Sequence, residues 1–269
     1  MAKGISLHIG LNLVDPAHYN GWNGALSACE YDAKDLAAIA KKQGFAESTI
    51  LLTKQATAAT VTKALQDAAK KLAKGDVLLL TYSGHGGQVP DTNQDEADRM
   101  DETWVLYDRQ LVDDELHALY AKFKSGVRIF VLSDSCHSGT VTRAIPPWEA
   151  AQPANRAMPA TVGDQTYRKN KKLYLGIQQT HQAAESLPVK ATVLLISGCQ
   201  DNQVSLDGAR NGLFTETLRK VWNNGKFKYS YRRFRDTIVS KMPPTQTPNY
   251  YVVGRANAAF ESQKPFTVS

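Results

Sequence analysis

Two apolar runs constrain the fold of this chain most strongly. Each is followed directly by a glycine-rich motif that contains a reactive side chain. Residues 77–81 lead into YSGHGG at 82–87, and residues 127–132 lead into DSCHSG at 134–139. Continuous apolar runs are typical of strands buried on both faces of a parallel sheet. Because reactive groups lie beyond the carboxyl ends of such strands, the sequence predicts that His85 and Cys136 share one edge of a sheet.

A thiol beside an imidazole is the pair needed for nucleophilic catalysis. Cys136 would be the nucleophile, and His85 would take its proton, because a free thiol is only slightly ionised at neutral pH. Two alternatives remain at this point. One is a buried cysteine and a core histidine without chemistry. The other is a zinc site of His85, Cys136 and His137, although the spacing typical of zinc ligands is missing.

Strand-like and helix-like patterns alternate along the 269 residues, which favours an α/β domain with a mostly parallel sheet and helices on both faces. Strands are expected at 5–11, 50–52, 77–81, 104–106, 127–132, 191–197 and 249–253. Helices are expected at 32–43, 60–73, 114–123, 214–222 and 231–241. We expect a single domain, with a larger part at 1–139 and a smaller part at 173–269.

Composition narrows the class of protein. No stretch approaches the roughly 18 apolar residues that span a bilayer, and strand sequence begins almost at the N-terminus, so neither a membrane span nor a signal peptide is expected. Three cysteines do not make a disulfide framework, and the cytoplasm is the expected compartment. The net charge is +6, but the sequence has no basic stripe interleaved with aromatic residues, so nucleic acid is not an expected partner.

Residues 140–172 interrupt the pattern with prolines, alanines and little periodicity. A loop of this length inside a compact domain is usually functional or mobile, although a plain surface insertion is the alternative. Its basic residues are Arg143, Arg156, Arg168, Lys169, Lys171 and Lys172.

The chain resembles the caspase-like peptidases of family C14, within them the metacaspase and orthocaspase branch. The words SGHGG and DSCHSG carry the resemblance, together with CEYDA at 29–33, VDDEL at 112–116 and ISGCQDNQ at 196–203. A His–Cys spacing of about fifty residues is also a caspase trait. Tyr31 departs from the family, which usually has Asn there. The resemblance implies a caspase-like fold and a cysteine endopeptidase.

The same resemblance implies roles for further residues. Backbone N–H groups of Gly86 and Cys136 would form the oxyanion hole. Asp32, Ser83, Asp134 and Asp201 would line the S1 pocket, which binds the residue before the scissile bond (P1). Carboxylates in such a pocket select a cationic side chain, so Arg is favoured and Lys tolerated. Taken alone, each Asp could equally be a helix cap or turn residue.

The resemblance also implies a calcium-binding site. Asp95, Asp113 and Asp114 are the candidate ligands, in an acidic stretch that suits a hard cation. A further family ligand position, a few residues after Cys136, has no carboxylate here, and Asp113 could instead cap the following helix. We therefore expect calcium to have a modest effect or none, and no organic cofactor to be required.

The expected function is cleavage of protein or peptide substrates after Arg or Lys, with self-cleavage inside residues 140–172. Exposed segments are preferred sites of nicking, and tethering raises the effective concentration of a bond near the site. A non-proteolytic signalling module on the same fold and a small-molecule cysteine amidase remain the alternatives. The sequence leaves the oligomeric state open.

Overall fold

The computed structural model describes residues 2–92, 99–135, 154–181, 183, 186–200, 203 and 205–269. Its strands are β1 Gly4–Gly10, β2 Glu47–Leu52, β3 Val77–Ser83, β4 Gly86–Pro90, β5 Met100–Val105, β6 Gln110–Val112, β7 Arg128–Asp134, β8 Thr192–Ser197 and β9 Asn249–Gly254. Its helices are α1 Cys29–Lys42, α2 Ala58–Lys71, α3 Asp113–Tyr120, α4 Ala160–Lys169, α5 Lys171–His181, α6 Leu213–Trp222, α7 Tyr231–Val239 and α8 Ala258–Ser262.

The main sheet has the order β2-β1-β3-β7-β8-β9 within the described residues. All neighbours pair in parallel except β8 and β9. A second, antiparallel sheet is formed by β4, β5 and β6. The predicted α/β fold with a mostly parallel sheet is therefore confirmed.

Side chains of the central strands alternate between two hydrophobic cores. Leu78 and Leu80 of β3 pack with α2 and α3, whereas Val77 and Leu79 pack with α1, α6 and α7. This alternation explains why the strand reads as a continuous apolar run, because both of its faces are covered by helices.

The expectation that residues 140–172 lack regular structure is wrong for their last part. After Pro159, α4 begins at Ala160, and α5 follows from Lys171. The fully buried residues of α4 are Gly163 and Thr166, so the helix shows no stripe of large apolar side chains. Helical periodicity was hidden because small residues, rather than leucines, make the inward contacts.

Helix α1 begins at Cys29, three positions before the expected start at Asp32. Asp32 is therefore a residue of the first turn and not a cap, and its buried carboxylate is available for contacts with other elements.

In the described part of the chain, the helices are too short or too polar to cross a lipid bilayer.

Candidate active site

The carboxyl ends of β3 and β7 meet at one edge of the main sheet, as the sequence predicts. Ser83 and Asp134 are the last residues of the two strands and face each other in register. Helix α1 packs beside β1 and brings Asp32 to the same edge, where its Oδ2 accepts a 2.7 Å hydrogen bond from Ser83 Oγ. Three of the predicted S1 residues therefore lie together, all of them buried.

A buried arginine from the chain itself fills the space between these carboxylates. The guanidinium of Arg156 is 0% exposed. Its Nη2 lies 2.7 Å from Asp32 Oδ2 and 2.9 Å from Asp207 Oδ1, and its Nη1 lies 2.8 Å from Asp134 Oδ2. Nη1 also donates to Ser83 Oγ at 2.8 Å. The guanidinium in this pocket is thus in direct contact with the carboxylates of Asp32, Asp134 and Asp207.

Asp134 and Asp32 also accept hydrogen bonds from groups other than the guanidinium. Asp134 accepts hydrogen bonds from Ser205 Oγ and Thr215 Oγ1 at 2.6 and 2.7 Å. Asp32 accepts from the amide of Asn211 at 2.9 Å and from the backbone N–H of residue 212 at 3.2 Å. Such bonds fix the carboxylates in position and offset part of the free energy lost on their burial.

Burial raises the pKa of Asp32 to about 6, with the charge of Arg156 opposing this shift and Asp134 adding to it. Without a cation in the pocket, the lowering effect of Arg156 would be absent. The ionisation of Asp32 is therefore coupled to the presence of a positive charge beside it.

The residues on either side of Arg156 pair with the chain on both sides of the site, through single bridges at Asn155 and Ala157. On one side, the backbone N–H of Arg156 donates to Ser205 O at 2.9 Å and that of Asp207 donates to Ala154 O at 2.7 Å, an antiparallel pairing. On the other side, the N–H of Gly86 donates to Arg156 O at 2.9 Å. The carbonyl of Arg156 thus lies on the backbone donor that was predicted for the oxyanion hole.

His85 is buried beside this strand. Its Nε2 lies 3.1 Å from the carbonyl oxygen of Gly24, and its ring centroid is 4.7 Å from that of Trp22. Nδ1 has no hydrogen-bond partner among the described residues. Burial lowers the pKa of His85 to about 4, opposed by the carbonyl of Gly24, so the imidazole is neutral at pH 7. A neutral ring with an unpaired nitrogen can accept a proton.

Several predicted residues lie outside the described part of the chain: Cys136, His137, Asp201, Asp95 and Arg143. Their predicted roles stay predictions. Of the other basic residues in 140–172, Arg168 and Lys169 end α4, and Lys171 and Lys172 begin α5.

Sequence reasoning missed Asp207, which supplies the third carboxylate around Arg156. Its Oδ2 also accepts a 2.7 Å hydrogen bond from the N–H of Ser27, so it ties the loop before α1 to the pocket. No motif marks this residue, because its neighbours are unremarkable in the sequence. It could be found only from the antiparallel pairing of residues 154–156 with 205–207.

The acidic residues predicted for calcium are partly described. Asp113 and Asp114 begin α3, and Asp113 Oδ1 accepts from the N–H of Asp114 at 3.0 Å. Burial, with Asp101, Glu102 and Asp114 nearby, raises the pKa of Asp113 to about 8. Among the described residues, no group of three or more His, Cys, Asp or Glu side chains is arranged to hold a metal ion.

The six-stranded sheet with its helical layers is that of the caspases. Caspase-1 from Spodoptera frugiperda superposes with a TM-score of 0.52 over 94% of this chain and 86% of that one, at 11% identity, which shows the common fold alone. Protein GSU0716 from Geobacter sulfurreducens superposes with a TM-score of 0.91 at 56% identity, over 99% of both chains.

Sequence comparison gives the family. Residues 12–259 match the caspase domain of peptidase family C14, and the chain belongs to that family. Metacaspase-1 of Mycosarcoma maydis is 30% identical over 88% of this chain and 67% of its own length. Metacaspase-1 of Kluyveromyces lactis is 30% identical over 70% of this chain, which matches only 46% of the relative's length.

Proposed function

We propose that this protein is a cysteine endopeptidase that cleaves peptide bonds after Arg or Lys. The observation that carries the proposal is the position of Arg156, whose guanidinium contacts three carboxylates while its carbonyl oxygen accepts from Gly86. An arginine bound in this way has the contacts that a P1 residue requires. Family membership supports the peptidase class.

The chemistry follows from these contacts and the sequence. Cys136 loses its proton to His85, and its sulfur attacks the carbonyl carbon of the P1 residue. The electron pair of the C=O bond moves to oxygen, which the N–H groups of Gly86 and Cys136 stabilise. His85 then gives the proton to the leaving amine as the C–N bond breaks. Water, deprotonated by His85, attacks the thioester and releases the acid and the thiol.

Preference for Arg over Lys has a geometric reason. Nη1 and Nη2 of Arg156 contact acceptors on different elements at the same time, a pattern that a planar guanidinium can satisfy. A lysine ammonium of similar reach carries the charge but only one nitrogen. We expect Lys substrates to be cleaved more slowly, and substrates with Asp at P1 not to be cleaved, because the pocket would repel them.

The extended strand through the site favours a peptide substrate over a small amide. Residues 154–158 pair with the chain on both sides of Arg156, which is how a groove holds an extended peptide. A signalling module without activity would not require a neutral, unpaired histidine beside that strand. No observation favours either alternative.

Self-cleavage after Arg156 is part of this proposal. Among the described candidates, Arg156 alone has its backbone N–H and carbonyl hydrogen-bonded at the site. The backbone of Arg168, Lys169, Lys171 and Lys172 is helical, so these bonds are not presented as a strand. Cleavage would give fragments of residues 1–156 and 157–269.

Mass spectrometry of the purified protein tests the proposal. Wild type should yield the two fragments that meet at Arg156, and Cys136→Ala should remain a single chain. Arg156→Gln should block this cleavage, whereas the matched change Arg168→Gln should leave it intact. Purified wild type should then hydrolyse Arg peptides and ignore Asp peptides. Intact wild-type protein that hydrolyses no Arg peptide would refute the assignment.

Calcium is proposed to modulate activity modestly and not to be required, with no organic cofactor. The family resemblance places a further calcium ligand a few residues after Cys136, where residues 139–143 of this chain contain no carboxylate. Addition of a calcium chelator should leave most of the activity. The substrates are proposed to be proteins or peptides in the cytoplasm, without nucleic-acid or membrane partners.

A further inference from the structure

A second side chain of the bound strand is buried in a pocket of its own. Met158 follows Arg156 by two positions, and it is 2% exposed. It packs in a cluster with Val14, Tyr19 and Val105, and Trp22 and Val162 lie against that cluster. The hydroxyl of Tyr19 donates to the carbonyl of residue 106 at 2.6 Å, so its polar end is satisfied and its ring contributes apolar surface.

The backbone fixes which side chain reaches this pocket. Gly86 donates to the carbonyl of Arg156 at 2.9 Å and accepts from the N–H of Met158 at 2.8 Å. Gly86 makes both hydrogen bonds. A peptide whose P1 carbonyl accepts from Gly86 therefore places the residue two positions after P1 where Met158 lies. That residue is named P2′.

The pocket belongs to the body of the protein. Val14 and Tyr19 follow β1, Val105 ends β5, and only Val162 belongs to the segment after Met158. Gly87 makes room for the end of the methionine and for the Gln110 side chain, because a Cβ added there would lie 2.8 Å from Met158 Cε and 2.7 Å from Gln110 Oε1. A peptide supplied in solution would meet the same walls once residues 154–158 have left.

From this geometry we infer that the pocket of Val14, Tyr19, Trp22 and Val105 is a subsite that selects substrates with an apolar residue at P2′ that is not branched at Cβ. The inference rests on the proposed endopeptidase function and narrows its substrates to peptides with Arg at P1 and Met or Leu two positions later. An acidic P2′ side chain would lose most of its hydration, and the residues of this cluster offer it no positive charge.

Peptides in solution test the inference on self-cleaved wild-type protein. Four quenched fluorescent peptides contain Ala-Asn-Arg-Ala-Xaa-Gly with Xaa as Met, Leu, Ala or Asp. We expect kcat/KM for Met and Leu to agree within about threefold and to exceed the value for Asp by at least about tenfold, with Ala between them.

A pocket variant shows where the preference arises. Gly87→Ala should lower the ratio of kcat/KM for the Met peptide to that for the Ala peptide by about fivefold or more. The control Gly176→Ala has no atom within 4 Å of the added Cβ and should leave the ratio unchanged. A ratio within one variant does not depend on how much of the protein is folded.

The outcomes separate this inference from the function on which it rests. Equal rates for all four peptides, or a faster Asp peptide, would overturn the subsite and leave cleavage after Arg in place. Cleavage of none of them, with no hydrolysis of an Arg amide that ends at P1, would overturn both. An unchanged ratio in Gly87→Ala would overturn the assignment of the pocket.

Discussion

Three carboxylates surround the single guanidinium of Arg156, so the walls of the pocket carry more negative charge than the bound residue neutralises. Asp207 is the carboxylate of this pocket that the family motifs in the sequence do not predict. Its contribution to binding can be separated from those of Asp32 and Asp134, because each acid contacts the guanidinium directly.

Asp207→Asn should lower kcat/KM for an Arg peptide about tenfold, since one charged hydrogen-bond partner is lost while two carboxylates remain. The control is Asp236→Asn on α7, whose carboxylate is exposed and pairs only with Arg235 among the described contacts. Steady-state kinetics with one Arg peptide measure both variants. Equal losses in the two variants would show that Asp207 does not act through the pocket.

The pH dependence of kcat/KM should report Asp32. Its pKa of about 6 means that its protonated fraction grows as the pH falls below 6, and a neutral carboxyl attracts a guanidinium less. In the occupied site, burial and the charge of Arg156 lower the pKa of His85, and the Asp32 variant therefore serves to assign the ionisation. Because kcat/KM reports the pocket before a cation is bound, where the lowering effect of Arg156 is absent, activity in wild type should fall as the pH is lowered, with a midpoint at or above about 6.

In Asp32→Asn the activity is lower, but the decline near pH 6 should be absent, because position 32 no longer ionises. The profile is measured with an Arg peptide between pH 5 and 8. A decline near pH 6 that survives in this variant would assign the ionisation to another group.

At the scale of single residues, the sequence predicts those residues of the site that belong to family motifs at the ends of strands. Ser83 and Asp134 follow apolar runs, and their meeting is a consequence of parallel pairing. Asp207 and the pocket around Met158 could not be predicted. They depend on contacts between segments far apart in the chain, for which the sequence contains no periodic signal.

At the scale of elements, the distance between β1 and α1 sets the position of Asp32. Gly10 ends β1, and a Cβ added there would overlap the carbonyl oxygen of Cys29 and lie 2.9 Å from the Cβ of Ala33. Both contacts are with α1, the helix that carries Asp32. The absence of a side chain at residue 10 therefore allows the helix to approach the strand.

Gly10→Ala should displace α1, lower the free energy of unfolding by about 1–3 kcal/mol and weaken cleavage of Arg peptides. Thermal unfolding and kcat/KM are measured together. The control Gly176→Ala lies inside α5 with open space around it, and we expect its stability to be equal or up to about 1 kcal/mol higher. Unchanged stability and activity in Gly10→Ala would contradict the close contact.

Elements with apolar periodicity were predictable, and those without it were not. Strands β3, β7 and β8 lie where continuous apolar runs indicate them. Strands β4 and β6 are short and lie in a stretch with many polar residues, so their pairing with β5 gives little local signal. The buried residues of helix α4 are Gly163 and Thr166, and its larger side chains Val162 and Tyr167 are only partly buried, which weakens the pattern by which a helix is found.

At the scale of the whole molecule, the proposed cut at Arg156 divides the main sheet between two fragments. Strand β7 belongs to the first and β8 to the second, and they pair in parallel at six positions from Arg128–Thr192 to Ser133–Ser197. One hydrophobic core joins Phe130 and Leu132 with Phe214 and Leu218. The contacts that hold the sheet together do not include the cleaved bond.

The two fragments should therefore remain associated after cleavage. Gel filtration of the processed protein in native buffer should give one peak that contains both fragments, with separation only in denaturant. Cys136→Ala serves as the uncut reference and should elute at the same volume. Two peaks in native buffer would show that the covalent link is needed to keep the sheet intact.

The occupant of the pocket is part of the chain that forms it, and this has a consequence for how the uncut protein responds to its surroundings. Dilution lowers the fraction of a site that is occupied by an inhibitor in solution. A tethered segment keeps the same local concentration at the site whatever the total protein concentration is. The resting state is thus independent of the amount of protein, and a peptide in solution competes against a neighbour that cannot diffuse away. Cleavage after Arg156 removes the tether on its carboxyl side, while residues 1–155 still link Arg156 to the body of the protein.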